Sequence, residues 1–344
     1  MHNSILARLP DALLRWYDQS HRQLPWRQEK DPYHIWISEI MLQQTRVEAV
    51  RGYYSRFLQA LPTIEQLANA DDELLNKLWE GLGYYSRVRN LKKAAKVIME
   101  QHGGIFPGEY EKVRALPGIG DYTAGAICSI AFNHKTPAVD GNVLRVYSRL
   151  VLDETPVDDS KMKKQVQQSL AAVYPDRAGD FTQALMELGA TVCGPNRAPD
   201  CENCPCNTFC LAHKQGKTDA VPVRLPKKER RQEDKTVFIL TCGDLLALRK
   251  RPDTGLLAGL WELPHVPGLL APGAAVHALS EMGLKAENIE KSVERKHIFT
   301  HIQWNMRGYY ISVKEPHQSF TWLSLTEIKN TAALPTAFRQ FLED

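Results

Sequence analysis

The chain has 344 residues, 43% apolar and 24% charged, enough for two ordinary globular cores and too apolar for disorder. Its net charge of +3 does not by itself announce a nucleic-acid partner, so any DNA-binding surface must come from local clustering of cations. Pro10 and Asp11 interrupt the first apolar stretch, and no later run reaches about 18 apolar residues, which excludes a secretory signal and a membrane span and implies a soluble, cytoplasmic protein.

From residue 5 to about 213 apolar residues recur at three and four, with helix starts at Asp31-Pro32, Pro62-Thr63 and Asp71-Asp72. Asp31 is placed to cap a helix through HIWISEIMLQQT, with Pro32 at its first position. Helical spacing puts Tyr33, Ile37, Ile40, Met41 and Gln44 on one face and Glu39 on the other, beside Ile35 and Leu42. Partial burial there would raise the Glu39 pKa into the range of a general acid, whereas a solvated helix face would leave it an ordinary glutamate.

Leu116-Pro117-Gly118-Ile119-Gly120 separates a helix ending near Val113 from one running from Tyr122 through Ile130. Gly118 and Gly120 permit a tight turn whose N–H groups, with the next helix's N-terminus, suit a DNA phosphate; the alternative is a plain helix-to-helix turn. Asp140, in TPAVDGNVLRV, precedes another helical stretch and is an N-cap by position. Such a rigidly held carboxylate is also suited to facing a developing positive charge on a sugar.

Five of the seven cysteines fall between Cys193 and Cys210, which in a reducing compartment indicates a metal or cluster site more than disulfides. Cys193, Cys201, Cys204 and Cys210 can hold a 4Fe–4S cluster or, on donor chemistry alone, zinc. Cys128 and Cys242 read as ordinary buried thiols, and Cys206 as an extra one within the loop.

Residues 214–235 carry eight Lys/Arg against four Asp/Glu and read as a basic linker. Beyond it come strand-like runs at 236–241, 260–264, 295–301 and 307–313, with helices near 274–283 and 335–343. The expected organisation is multidomain: an all-α domain over 1–213, the linker, and an α+β domain over 236–344.

With these residues in hand, the chain resembles the helix-hairpin-helix glycosylase superfamily, on LPGIG, the closing Asp140 and the four-cysteine loop. SEIMLQQT at 38–45, GLGYYSR at 81–87, VDGNVLRV at 139–146 and ELGATVC at 187–193 resemble its MutY branch, and residues from about 236, with LLAGLWELP at 256–264, its Nudix-like domain. The resemblance implies a helix-hairpin-helix glycosylase domain with one 4Fe–4S cluster in the 193–210 loop, acting on adenine opposite 8-oxoguanine or guanine in double-stranded DNA. It assigns protonation of adenine N7 to Glu39 and stabilisation of the sugar cation to Asp140, with Tyr122 and Asn142 in support. Arg27 and Glu187 would line the adenine pocket. Gln44, Leu82 and Tyr84 would form the wedge that fills the duplex when the base is flipped, and Phe299, Thr300 and His301 would read the opposite oxidised base.

Relatives resembling endonuclease III carry a lysine where this chain has Tyr122, which cannot form an imine; the expectation is a monofunctional enzyme. Seven residues, Gly194 through Asp200, separate the first two cluster cysteines where the family usually has six, which keeps Cys206 open as a substitute ligand. Between Pro264 and Gly283 the only carboxylate is Glu281, too few for a Mg2+-dependent Nudix hydrolase. A monomer is the expected state. The rival readings are a glycosylase of this fold for another base, and a catalytically silent, cluster-bearing DNA-binding protein.

Overall fold

The computed structural model describes residues 2–195, 198–226, 229–285 and 289–343. Asn196 and Arg197 of the first cysteine spacing, and Lys227 and Lys228 of the expected linker, lie outside them. The chain divides into two compact units, one of Met1–Asn69 with Asn90–Pro226, the other of Ala70–Arg89 with Lys227–Asp344.

The first unit is helical. Asp31 caps the helix Pro32–Leu42, accepting from the Tyr33 and His34 amides at 2.8 and 3.1 Å, which satisfies N–H groups that a helix start leaves orphaned. This helix packs on Val47–Ala60 and on Asp121–Phe132. Every residue from Ile35 to Met41 is buried, so it is a central helix covered on all sides. Glu39 lies with Ile35 and Leu42 along one cavity, the neighbours that helical spacing gave it, and the opposite face of the helix is buried as well. Gln44 falls beyond the helix, exposed, with φ of 58°.

A second pair of central helices, Gly141–Val151 and Ala178–Thr191, packs around Leu144, Val146, Leu150, Phe181 and Leu185. Their close approach depends on Gly189, where a Cβ would fall 2.6 Å from Asn142 Cβ. That approach brings the N-terminal turn of one helix against the C-terminal half of the other.

The second unit is built on a seven-stranded sheet: β1 Arg231–Cys242, β2 Leu245–Lys250, β3 Trp261–Glu262, β4 His265–Pro267, β5 Lys291–Ile298, β6 Ile302–Ser312 and β7 Thr321–Ser324. The order is β3-β2-β1-β6-β5, with β4 also paired to β1 and β7 to β2; β1 and β6 run parallel and the remaining pairs antiparallel. Val237 and Ile239 of β1 enter one core with Trp304, Met306 and Phe338, while Phe238 and Leu240 enter the other with Leu279, Tyr309 and Ile311. Both faces of β1 are covered from Val237 to Leu240, which is why that segment is a continuous apolar run.

Strand β1 begins at Arg231, before the expected 236, because its polar first half is held by the ladder to β6 from Arg231↔Ile302 onward. The expected strand at 295–301 stops at Ile298, leaving Phe299-Thr300-His301 in the tight connection to β6. Strand β7 and the helix Leu325–Thr331 were not expected; the latter opens on a Ser324/Glu327 capping box. Cys242 is half-buried at the end of β1, a correction to its reading as a core thiol, while Cys128 is fully buried.

Candidate active site

Six of the expected residues line one cavity of about 170 Å3 in the helical unit: Arg27, Glu39, Tyr122, Asp140, Asn142 and Glu187. Glu39 is 5% exposed and accepts from the Tyr122 hydroxyl at 2.6 Å. Burial pushes its pKa up from 4.5 to about 7; the Tyr122 bond and Arg27 oppose this and Asp140 adds to it. Burial, Glu39 and Asp140 push the Tyr122 hydroxyl well above 10, so it stays a neutral donor.

Asp140 is the N-cap of Gly141–Val151, accepting the Val143 amide at 2.8 Å on one oxygen and the Asn142 side-chain amide at 2.8 Å on the other. Burial raises its pKa against the lowering effect of those bonds. Glu187 shows the opposite balance. Burial alone would raise its pKa, but bonds from Arg22 at 2.7 and 2.9 Å and Arg27 at 2.8 Å hold it at about 2. One carboxyl is thus poised to carry a proton near neutrality and another is locked as an anion, with no change of residue type.

Gly118 has φ of 78°, and a Cβ there would meet Asn90 Cβ at 2.6 Å, so both conformation and space require glycine. Gly120 is the extended N-cap of Asp121–Phe132 and faces open space, leaving the helix's first N–H groups approachable from outside.

Cys193, Cys201, Cys204 and Cys210 line a single small cavity. Cys206 does not; it is fully buried among Cys193, Phe209 and the helix packing of the same core. Among the described residues no group of three or more His, Cys, Asp and Glu side chains stands close enough to hold a metal ion, so the fit rests on the shared cavity and on four soft thiolate donors.

In the second unit, a cavity of about 530 Å3 is lined by residues 81–86 and by 297–302, together with Arg89, Gly255–Leu257, Pro335 and Thr336. Tyr84, 44% exposed with φ of 48°, shares a 2.5 Å hydrogen bond with Thr300. Phe299 is anchored edge-on between His297 and Trp304, at 4.6 and 4.8 Å, while Thr300 and His301 are exposed. Leu82 is 7% exposed, which corrects the expectation of a projecting wedge residue, and the three wedge candidates are divided, Gln44 in the first unit and Leu82 and Tyr84 in the second.

Residues 37–173 match the HhH-GPD superfamily of base excision DNA repair proteins, and 236–344 match the NUDIX domain family. The adenine DNA glycosylase of Rattus norvegicus is 37% identical, over 95% of this chain and 76% of that protein. This chain belongs to the adenine DNA glycosylase family. The Homo sapiens member is 36% identical over 96% of this chain and 72% of its own length. A thermostable thymine-DNA glycosylase structure superposes with a TM-score of 0.57 and 27% identity, over 62% of this chain and 98% of that one.

Three residues of this adenine glycosylase family member escaped the sequence reading. Arg22 completes the clamp on Glu187 but sits 165 positions from it, and no local pattern links them. Arg145, 4% exposed, donates to Asn142 Oδ1, Gly189 O and Cys193 O at 2.7–2.8 Å. It joins the residue bracing Asp140 to the first cysteine of the cavity. Arg87, 8% exposed, donates to Leu82 O and Gly83 O at 2.9 and 3.0 Å, beneath the turn that presents Tyr84. An arginine inside a helical segment otherwise reads as a solvated side chain.

Proposed function

We propose that this protein is a monofunctional glycosylase that hydrolyses the N-glycosidic bond of adenine mispaired with 8-oxoguanine or guanine in double-stranded DNA. The observation that carries the reading is Glu39: a fully buried carboxyl, hydrogen-bonded by Tyr122, with a pKa of about 7, in the same cavity as the capped carboxylate Asp140.

In this reading the flipped adenine enters the cavity and Glu39 delivers its proton to N7, making the base a leaving group. Positive charge that develops at the sugar C1′ is met by Asp140, which its cap bonds hold still. Arg27 and Glu187 hold the base, and water completes the reaction. No lysine lines the cavity among the described residues, which supports hydrolysis without strand cleavage through an imine. Gly118 and Gly120 take a backbone phosphate. The wedge is Tyr84, with Gln44 and a buried, supporting Leu82, and Phe299, Thr300 and His301 read the opposite base.

Cys193, Cys201, Cys204 and Cys210 would hold one 4Fe–4S cluster, which when bound supplies four iron–sulfur bonds tying the loop to the helical core. The domain assignment that goes with this function is chemistry in 1–213 and opposite-base reading in 236–344, joined by 214–235. The enzyme works as a monomer on cytoplasmic DNA.

Single-turnover incubation with a duplex carrying A opposite 8-oxoguanine tests the reading, comparing the protein with its Glu39→Gln variant and following strand scission before and after alkali. Alkali-dependent adenine loss, absent in the variant, is the expected result. Intact adenine after incubation with folded, cluster-loaded protein would overturn it, and scission without alkali would overturn the monofunctional part alone.

A further inference from the structure

Arg149 enters the four-thiol cavity from the Gly141–Val151 helix and is 7% exposed. Its guanidinium is fixed from several sides. Nε donates to Thr218 O and Val221 O at 3.0 and 3.1 Å, and Nη1 to Gly194 O at 3.3 Å and to Cys193 Sγ at 3.2 Å. Carbonyl oxygens satisfy N–H groups but do not balance a buried positive charge, and among the described residues no carboxylate forms an ion pair with Arg149. Burying a guanidinium without an anion is costly. The group at contact distance is the Cys193 sulfur, which carries negative charge whenever it ligates a cluster.

We propose that Arg149 is the built-in counter-charge of the Cys193 ligand and sets the reduction potential of the cluster. The inference rests on the cluster reading above and adds to it a residue that binds neither DNA nor adenine. A fixed cation at a ligand sulfur stabilises whichever oxidation state carries more negative charge, the reduced one, and a hydrogen bond to that sulfur acts in the same direction. Arg149 therefore raises the potential and makes the cluster harder to oxidise. The backbone carbonyl of Arg149 faces Cys210 Sγ at 3.3 Å, so the same residue touches two corners of the thiol set, with its side chain in contact at Cys193. The side chains of Asp200 and His213 also line the cavity; both stay in place in the variants below.

The test is protein-film voltammetry on the full chain, wild type against Arg149→Gln and Arg149→Lys, with iron and sulfide measured on each sample. At equal iron content the Gln variant should show a lower potential and faster iron loss under a mild oxidant such as ferricyanide. The Lys variant, which keeps the charge, should lie nearer wild type. Equal potentials in all three loaded proteins would overturn the inference and leave the cluster reading standing; iron-free wild type would overturn both. Should the variants fail to load, protein carrying guanidino-15N arginine decides the matter by pulsed EPR of the oxidised cluster, read in wild type and in Arg145→Lys, which removes the other guanidinium near Cys193 and leaves Arg149 as the arginine lining the cavity among the described residues. A nitrogen coupling from the guanidinium supports the inference, and its absence overturns it.

Discussion

Glu39 carries two consequences that a single substitution separates. Its pKa in the folded chain lies above the unfolded value of 4.5, at about 7. The native state therefore holds an extra proton between those limits, and stability falls as pH rises from 4.5 to 7, with the full cost present above 7. A shift of that size amounts to about 3 kcal/mol for a fully buried group. Glu39→Gln should then be the more stable protein at pH 8, by up to about 3 kcal/mol, and indistinguishable from wild type near pH 4, while adenine release is lost. Thermal melts at the two pH values measure this; a variant less stable at pH 8 would show that burial is not what shifts Glu39. With Glu39 as the proposed acid, the same pKa sets activity. The acid form is depleted as pH rises through about 7 and Asp140, itself raised by burial, loses its charge at the acidic end, giving a bell-shaped single-turnover profile. The apolar company of Glu39, Ile35 and Leu42, was legible from helical spacing; the depth of its burial was not, because a helix buried all round shows no polar face to a periodicity argument.

Arg87 is a second case in which the structure names what the sequence hides. Its guanidinium lies 5.2 Å from the Trp79 ring centre and 5.6 Å from that of Tyr84, and with Trp79 Nε1 it holds the carbonyl of Gly83, next to a tyrosine in the left-handed region. Arg87→Lys retains charge but loses the two-pronged grip. Binding to a mispaired duplex should weaken about tenfold, or ~1.4 kcal/mol, with adenine release in the saturated complex less affected. Unchanged affinity in an electrophoretic titration would remove Arg87 from the positioning of Tyr84.

At the scale of elements, the two roles of Asp140 can be pulled apart because asparagine caps a helix as well as aspartate does. Asp140→Asn should keep the Gly141–Val151 helix within a few tenths of a kcal/mol and abolish charge stabilisation at the sugar. Asp140→Ala should lose both, at about 1 kcal/mol for the missing cap. Denaturant midpoints and single-turnover rates on the pair measure this, and an active Asn variant would leave Asp140 a cap only. The position of this helix was readable, since Asp140 before GNVLRV is a start signal independent of tertiary packing. So were Asp31-Pro32 and the Leu116–Gly120 turn. The short strands were not: β7 is the four residues TWLS and β3 the pair WE, and strands that brief owe their conformation to neighbours in the sheet.

Across the whole molecule, the change in composition at 214–235 marks where helices give way to strands, but compactness follows a different line. Residues 70–89, early in the chain and carrying the helix Asp72–Leu78, belong to the unit built on the sheet. Lys77 donates to Ile328 O and Ala332 O, Glu80 accepts from the Leu334 amide, Arg89 donates to Ala258 O, and Glu73 pairs with Lys250 and accepts from Trp261. Sequence separations of 169 to 255 residues for several of these bonds put them beyond any window of local pattern. A chain ending at Pro226 would keep the Glu39 cavity and the four thiols, which lie in the first unit, and would leave 70–89 without these partners. Its amides there should exchange with solvent faster than in the full chain, while those of Asp121–Phe132 and Gly141–Val151 stay protected. On the function proposed above, preference for 8-oxoguanine over guanine opposite adenine should also fall, since Tyr84 loses Thr300 along with the loop that carries it. Hydrogen-exchange mass spectrometry and paired single-turnover rates measure the two effects. Unchanged protection at 70–89 would mean that this segment holds its fold without the sheet, and that removing the carboxy-terminal residues costs recognition only through the missing loop.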